Sequence, residues 1–530
     1  MYGRRLCVAV VSGLIVHSVG AGKDLKADEW PVLNAQAEMA AGVPVRQGGV
    51  GGAPFWNAVS RAFINPPAFD FKPVAGAAAY RFTVTEKSGG KASSFTAPLP
   101  TAALTPVWRG LKPGYVTVVC EGLASDGAVL GVAGRRDCYR AAVFKGPYPA
   151  RACDYRTCAA RVYEAVWKLR YVRDWLTCAD PPEGYDLYCY PAKILSAMIR
   201  ALCGYVRSEP ADRGQALAVA RKMADWLLAQ SQPADAPLAY FPPTYWGDRR
   251  QEAVRFKGQN MLLYPAFAAD AYFDLAATSG EKKYRDAALA IARTYVKLQG
   301  ADGTWPLKVT ESDGCPVRPN RLTPDDRVLR MLDRASAETG DPAFKTAGEK
   351  AFGFILDGPC VKWNWDGQFE DIDPVQPYQN LQKGIACETA RRLFESRGDN
   401  PLSRELVAWC EDQFTVWSDP IHHMDWEHWK TPTALEQYAY YTPIDASMGD
   451  MITAFAAAYA ATGERLYLAK AEALADNITR NQRADGTIPT YFDSRPGSDW
   501  VNCMVFVAKK LEYLAACRKQ IETKNVNQEQ

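Results

Sequence analysis

The chain has 530 residues, 48% of them hydrophobic and 23% charged, with 62 Lys plus Arg against 60 Asp plus Glu. This is globular composition and excludes collagen, coiled coil and wholesale disorder. A formal net charge of +2 provides no basic stripe, so nucleic acid is not expected as a partner. The 15 Trp, 26 Tyr and 20 Phe exceed what a core alone requires, which directs attention to where the surplus collects.

Arg4 and Arg5 precede an apolar stretch from Leu6 to Val19, followed by Gly20, Ala21 and Gly22. A charged n-region, an apolar h-region and small residues at the cleavage point predict an export signal over residues 1–21. The alternative is an uncleaved anchor, for which the stretch is short. No later segment has about 18 consecutive apolar residues, so the mature chain is expected to lack a membrane span and to be secreted or periplasmic. Removing the signal takes two Arg and no acids, leaving 60 basic and 60 acidic residues. It also takes Cys7, so 13 of 14 cysteines remain. An odd number leaves at least one thiol free or bonded between chains. Cys120 with Cys138, and Cys153 with Cys158, are the nearest plausible partners, whereas Cys203, Cys387, Cys410, Cys503 and Cys517 lie in apolar helical patterns. Residues 22–59 read as a linker or N-terminal extension.

Residues 60–148 read as strands. Tyr80-Arg81-Phe82-Thr83-Val84-Thr85 alternates at period two, with further candidates from Tyr115 to Cys120 and from Tyr139 to Phe144. Turn clusters Ser88-Gly89-Gly90 and Lys112-Pro113-Gly114 separate them, which predicts a small all-β sandwich. The stretch Asn65-Pro66-Pro67-Ala68-Phe69-Asp70-Phe71 followed by Pro73-Val74-Ala75-Gly76-Ala77 resembles the opening of a fibronectin type III-like module.

From about 155 the apolar period changes to 3.6, predicting twelve helices: 158–175, 190–206, 212–231, 259–278, 283–299, 323–338, 343–356, 378–396, 402–417, 445–461, 466–481 and 498–518. Residues 519–530 read as a disordered tail. A repeat runs through the array. Ser279-Gly280-Glu281 returns as Thr462-Gly463-Glu464, and Gln299-Gly300-Ala301-Asp302-Gly303-Thr304-Trp305-Pro306 returns as Gln482-Arg483-Ala484-Asp485-Gly486-Thr487-Ile488-Pro489, both at an offset of 183 residues. Thr339-Gly340-Asp341 stands 60 residues after the first copy, so 183 is about three helical hairpins. Six hairpins over 155–518 predict a mainly α fold, an (α/α)6 toroid, with an open solenoid as the alternative.

Short Gly-Glu or Gly-Asp turns join the helices within a hairpin, and long connections join the hairpins. Alternate connections of an antiparallel array share a rim, so the long loops gather on one side, where function tends to sit. These loops hold Tyr245, Trp246, Arg249, Arg250 and Arg255; Trp305; Trp363, Trp365, Asp366, Glu370 and Asp371; and His422, His423, Trp426, Glu427, His428, Trp429, Glu436, Tyr440 and Tyr441. Every mature histidine lies between 422 and 428. Aromatic faces beside carboxylates suit a carbohydrate, since sugar C–H faces stack on rings and hydroxyls need polar partners. Tyr245, Trp246, Arg249, Trp305, Trp363, Trp365, Trp426, Trp429 and Tyr440 are the candidate substrate contacts.

A glycosidase needs one protonated and one ionised carboxyl group, which Asp366, Glu370, Asp371, Glu427 and Glu436 could supply. A lyase needs a base beside a uronate and a group that neutralises its carboxylate, for which His422, His423, His428, Tyr440, Tyr441 and the arginines are candidates. His422, His423, Asp425 and His428 also have zinc-ligand chemistry, but their spacing fits no strict motif, and no metal or cofactor is expected. The six hairpins, the Gln299–Pro306 loop and the leading β-module resemble the six-hairpin glycosidase-like superfamily and the related (α/α)-toroid polysaccharide lyases. That resemblance covers about 155–518, matches no catalytic motif residue by residue, and implies glycoside hydrolysis or uronate elimination. The expectation is an exported glycan-cleaving hydrolase with a carbohydrate substrate. A polysaccharide lyase and a non-catalytic glycan-binding protein are the alternatives, and oligomeric state is open.

Overall fold

Among the described residues twelve long helices follow residue 154, as the 3.6 period requires. They are α1 (Tyr155–Lys168), α2 (Pro191–Arg207), α3 (Arg213–Gln230), α4 (Tyr264–Ser279), α5 (Lys282–Leu298), α6 (Asp326–Thr339), α7 (Pro342–Asp357), α8 (Gly384–Arg397), α9 (Pro401–Phe414), α10 (Asp445–Thr462), α11 (Arg465–Asn481) and α12 (Val501–Gln528). The structure, a computed structural model, describes residues 25–46, 56–373, 377–419, 428–495 and 499–528. The proposed export signal lies outside them.

The even-numbered helices form a closed inner ring: α2 packs on α4, α4 on α6, α6 on α8, α8 on α10, α10 on α12, and α12 back on α2. Helices α3, α5, α7, α9 and α11 each back the inner helix before them, and α1 backs α12. The first and last helices therefore close the ring, making this a toroid and not an open solenoid. An inner helix touches two inner neighbours and one outer partner, which explains why α4 and α10 are buried around nearly their whole circumference.

The repeated motifs have structural roles in this ring. Gly280, Gly340 and Gly463 end α4, α6 and α10 in the left-handed conformation, with φ of 74°, 70° and 73°. Asp341 then caps α7 by accepting from the Ala343 amide at 2.9 Å. Glu281 and Glu464 do not cap; they pair with Arg221 and Arg404 on the preceding outer helices. In the second motif, Gln299 Nε2 donates to Gly303 O at 2.8 Å and to Ala347 O of α7 at 2.9 Å. Three hairpins away, Gln482 Nε2 donates to Gly486 O and to Cys158 O of α1, both at 2.9 Å. Each copy thus ties the end of one outer helix to the next. A Cβ on Gly303 would stand 2.3 Å from Lys350 O, and one on Gly486 2.5 Å from Arg161 O. Both glycines have positive φ, 87° and 90°. Gly303→Ala is therefore expected to destabilise the fold by about 1–3 kcal/mol or more, read as a lower denaturant midpoint at unchanged slope.

An ionic belt threads the inner ring. Arg200 on α2 and Arg334 on α6 hold Asp274 of α4 at 3.0 and 2.9 Å. Arg330 on α6 pairs with the fully buried Asp270 of α4 and, at 2.6 Å, with Asp326. Arg391 on α8 pairs with Asp326 and, at 2.7 Å, with Glu388, whose other oxygen takes Lys510 of α12.

Several boundaries move. Helix α4 begins at Tyr264, not 259, because Gln259–Met261 pairs antiparallel with Lys308–Thr310 as a rim ladder. Helix α8 begins at Gly384, not 378, because the Tyr378 and Asn380 amides donate to Asp366 within the loop. Helix α12 runs to Gln528 where a tail was expected at 519; no Pro or Gly interrupts it. Within the expected linker, Trp30–Ala40 is helical and packs on α11.

The N-terminal module has strands β1 (Ala62–Phe63), β2 (Ala68–Asp70), β3 (Ala79–Glu86), β4 (Ala92–Ala97), β5 (Thr101–Ala103), β6 (Gly114–Leu123) and β7 (Val129–Arg140). Five of them form a sheet in the order β1-β7-β6-β3-β4, and β2 pairs with β5. The burial of β3 alternates strictly, as its period-two sequence requires. The module is anchored where the buried Asp412 of α9 accepts from the Ile64 and Asn65 amides at 2.7 and 2.6 Å. Cys120 lies opposite Gly134 and Cys138 opposite Val116, four residues apart in the ladder. That is roughly 13 Å along a strand, too far for a disulfide. Cys153 and Cys158 are also free thiols. Among the described residues no helix is long and apolar enough to cross a membrane.

Candidate active site

All six inner helices start after a long loop, so their N-termini face one rim. The first turns there carry polar side chains that their apolar sequences do not need: Lys193 on α2, Tyr264 on α4, and Asp445 and Ser447 on α10, with Lys383 just before α8 and Asp450 one turn further along α10. The loop between α7 and α8 inserts Glu370 among them. Lys193 Nζ meets Glu370 Oε1 at 2.6 Å, and the Tyr264 hydroxyl donates to Oε2. Tyr245 donates to the Glu370 carbonyl at 2.7 Å, and Lys308 Nζ reaches the carbonyls of Glu370 and Ile372 at 3.2 and 2.8 Å. Two side chains therefore hold the carboxylate, and two more hold the backbone that carries it.

The neighbouring carboxyls differ sharply in acidity. Burial opposes ionisation of Glu370, but the charge and hydrogen bond of Lys193 and the bond from Tyr264 hold its carboxyl below the ordinary value. Burial, with Glu370 beside it, raises Asp371. Burial pushes Glu436 up to about 7, Lys383 and Lys193 oppose this, and Asp371 and Glu370 add to it. Among the described residues Glu436 Oε2 is buried with no hydrogen-bond partner, as is Asp445 Oδ2 at the start of α10. Burial likewise holds Asp445 well above the usual carboxylate range. Lys383 Nζ donates to the Glu436 carbonyl at 3.0 Å and to the Ser447 hydroxyl. One carboxyl protonated near neutrality beside one held ionised is the pairing that acid–base chemistry requires.

The sequence-selected residues divide into several groups. Glu370 and Asp371 form the centre with Glu436, and Tyr245, 5% exposed, positions their loop and offers no open face. Tyr440 is exposed on the rim, where Arg495 Nη1 donates to its hydroxyl at 3.2 Å. Tyr491, whose ring meets Trp500 at 5.9 Å, stands beside it and feels Glu436 electrostatically. Asp366 is bonded to the amides of Tyr378 and Asn380 at 3.1 and 3.2 Å, so it shapes its own loop. Trp305 is fully buried and donates to Tyr295 O at 2.9 Å. Trp363 and Trp365 are buried against Trp409. These three tryptophans are loop core and leave no face for a sugar. Arg249 spends its guanidinium on the carbonyls of Pro181, Pro182 and Tyr185, so it clamps a loop and not a substrate carboxylate. Trp246 packs edge-on against Trp226 at 5.2 Å. Trp429 and Tyr441 line a small cavity of about 20 Å³ at the seam with the N-terminal module, away from Glu370. His428 is exposed. His422, His423, Trp426 and Glu427 lie outside the described residues. Among the described residues no group of three or more potential metal ligands is gathered.

Sequence reasoning passed over Lys193, Lys383, Lys308, Tyr190, Tyr264, Asp445 and Tyr491. The usable signal was a charged residue in the first turn of an otherwise apolar helix following a long loop.

No family model and no curated protein matches the chain. Among solved structures, D-mannose isomerase aligns over 71% of this chain and 100% of its own, at 15% identity and a TM-score of 0.50. That likeness is one of fold. A family 76 glycoside hydrolase from a bovine Bacteroides thetaiotaomicron strain aligns over 83% of this chain and 93% of its own at 11% identity and TM-score 0.43. A cellobiose 2-epimerase from Spirochaeta thermophila aligns over 69% and 98% at 13% identity and TM-score 0.47.

Proposed function

We propose that the protein is a carbohydrate-active hydrolase that cleaves a glycosidic bond at the rim carboxylate centre. The observation that carries this reading is the opposed acidity of Glu436 and Glu370 at one site. Glu436, protonated near neutrality and without a hydrogen-bond partner on Oε2, is the general acid for the leaving oxygen. Glu370, kept ionised by Lys193 and Tyr264, is the base or nucleophile, and Asp371 stands beside it. Tyr440, exposed on the rim, supplies a ring face for sugar stacking. A fold shared with a sugar isomerase is in keeping with a sugar substrate. We also read the N-terminal module as fibronectin type III-like, because β2–β5 is a second pair beside the β1-β7-β6-β3-β4 sheet, with Phe69 against Phe63 and Phe71 against Phe82, and residues 1–21 as an export signal.

Activity is expected to fall as pH rises through about 7, because Glu436 must carry its proton, and to persist on the acid side until Glu370 protonates below the ordinary carboxylate range. A pH–rate profile of reducing-end release from a glycan panel tests this. Glu436→Gln should abolish the limb near neutrality; an unchanged limb in that variant would remove Glu436 from the mechanism. Elimination is the second reading, favoured by one observation: the buried Tyr190 hydroxyl has no hydrogen-bond partner, and Arg250 stands 5.8 Å over its ring. An unsaturated, ultraviolet-absorbing product would select it.

A further inference from the structure

Behind the Glu370–Ile372 segment lies a second cavity, of about 150 Å³, lined by Arg255, Phe256, Gln259, Lys308, Val317, Arg318 and Asp373. At roughly 30 Å³ per water in the liquid, it has room for about five waters or one small ligand of sugar-ring size. It is built on the rim ladder, where Gln259 lies opposite Thr310 and Lys308 follows two residues along the same face. Three cations line it against one carboxylate. Asp373 is shared, pairing with Arg255 and, at 3.4 Å, with Arg318. Among the described residues no carboxylate bonds Lys308: its ammonium donates to two carbonyls and sits 3.9 Å over the Phe256 ring. Burial holds that ammonium down to about 8, although Asp373, Glu370 and Asp371 pull the other way. Gln259 Oε1 is buried with no donor. Surplus positive charge beside an unmet acceptor asks for a ligand carrying both an anionic group and hydroxyls.

We propose that this cavity is a subsite for an acidic sugar, a uronate or a sulfate ester, next to the unit being cleaved. The anionic group would lie between Lys308, Arg255 and Arg318, and a sugar hydroxyl would donate to Gln259. The inference deepens the glycan-hydrolase reading and rests on it for the ligand being a sugar. Its geometric link is Lys308, which touches the backbone of the Glu370 loop from the cavity side.

Binding can be measured without turnover, so the two readings fail separately. Ligand-observed NMR on the full chain would use D-glucuronate, D-glucose 6-sulfate and D-glucose as probes. One or both acids are expected to bind, more weakly at high salt, with glucose binding about tenfold more weakly or not at all, as loss of a charge-assisted contact requires. Which acid binds distinguishes carboxylate from sulfate recognition. Arg255→Gln with Arg318→Gln, both at exposed side chains, should weaken the acid by about tenfold or more. Equal binding of glucose and both acids, absence of binding by all three, or unchanged acid binding in the double variant would overturn the subsite. Loss of glycan cleavage in the Glu370 variant with acid binding intact leaves the subsite standing.

Discussion

Glu370→Gln is expected to lower kcat on a cleaved glycan by a factor of about 10²–10⁴, the span set by losing a positioned acid or base. The amide keeps the shape and can still accept from Tyr264, so KM should change little, while the stranded Lys193 cation should lower the unfolding midpoint. The same carboxylate is also a structural partner of Lys193, at 2.6 Å. A purely structural role would show the lowered midpoint alone, with kcat preserved in the molecules that remain folded. Lys193→Met separates the two further. It leaves Glu370 buried without its cation, so the carboxyl pKa should climb and the acid limb of the pH–rate profile should move upward.

The second large effect is on stability. Asp270 is fully buried, and Arg330 is its principal cation. Arg330→Met leaves that carboxylate with Arg334 at 3.8 Å and is expected to cost about 3–5 kcal/mol, the usual penalty for stranding one member of a buried pair. Arg330→Met with Asp270→Leu should recover much of the loss, since a well-packed apolar pair can replace a buried ionic one. The belt also sets acid tolerance. Asp274 is half-buried, and burial opposes its ionisation, yet Arg200 and Arg334 lower its carboxyl to about 2. A depressed carboxyl contributes stability above its unfolded value of about 3.9 and loses it as pH falls toward 2. Denaturant midpoints measured from pH 5 down to pH 2 should fall, and should fall less in Asp274→Asn.

The toroid was legible because its cause is local. A 3.6 period, Gly C′ residues and a motif returning after 183 residues each mark a hairpin, and Gly280 and Gly463 sit where that reading puts them. Helix starts were less legible. At 259 and 378 the apolar pattern continues, but ladder pairing at Gln259 and the Asp366 turn take those residues out of the helix. The site was legible only in part. Glu370, Asp371 and Glu436 stand out as carboxyls in long loops. Trp305, Trp363 and Trp365 stand out equally, yet are core, because composition cannot separate a ring that faces solvent from one that seals a loop. Lys193 and Asp445 carried only the signal of a charge in the first turn of an apolar helix, and its meaning comes only when closure of the ring brings six helix N-termini together.

The measurement that tests the central claim most directly is the mass balance of the products from an oligosaccharide that the chain cleaves. Cleavage by the Glu436–Glu370 centre predicts two products whose masses sum to the substrate plus one water, with ¹⁸O from labelled water at the new reducing end, and this release is lost in Glu370→Gln. Products whose masses sum to that of the substrate alone, or release that persists undiminished in Glu370→Gln, would contradict hydrolysis at this site.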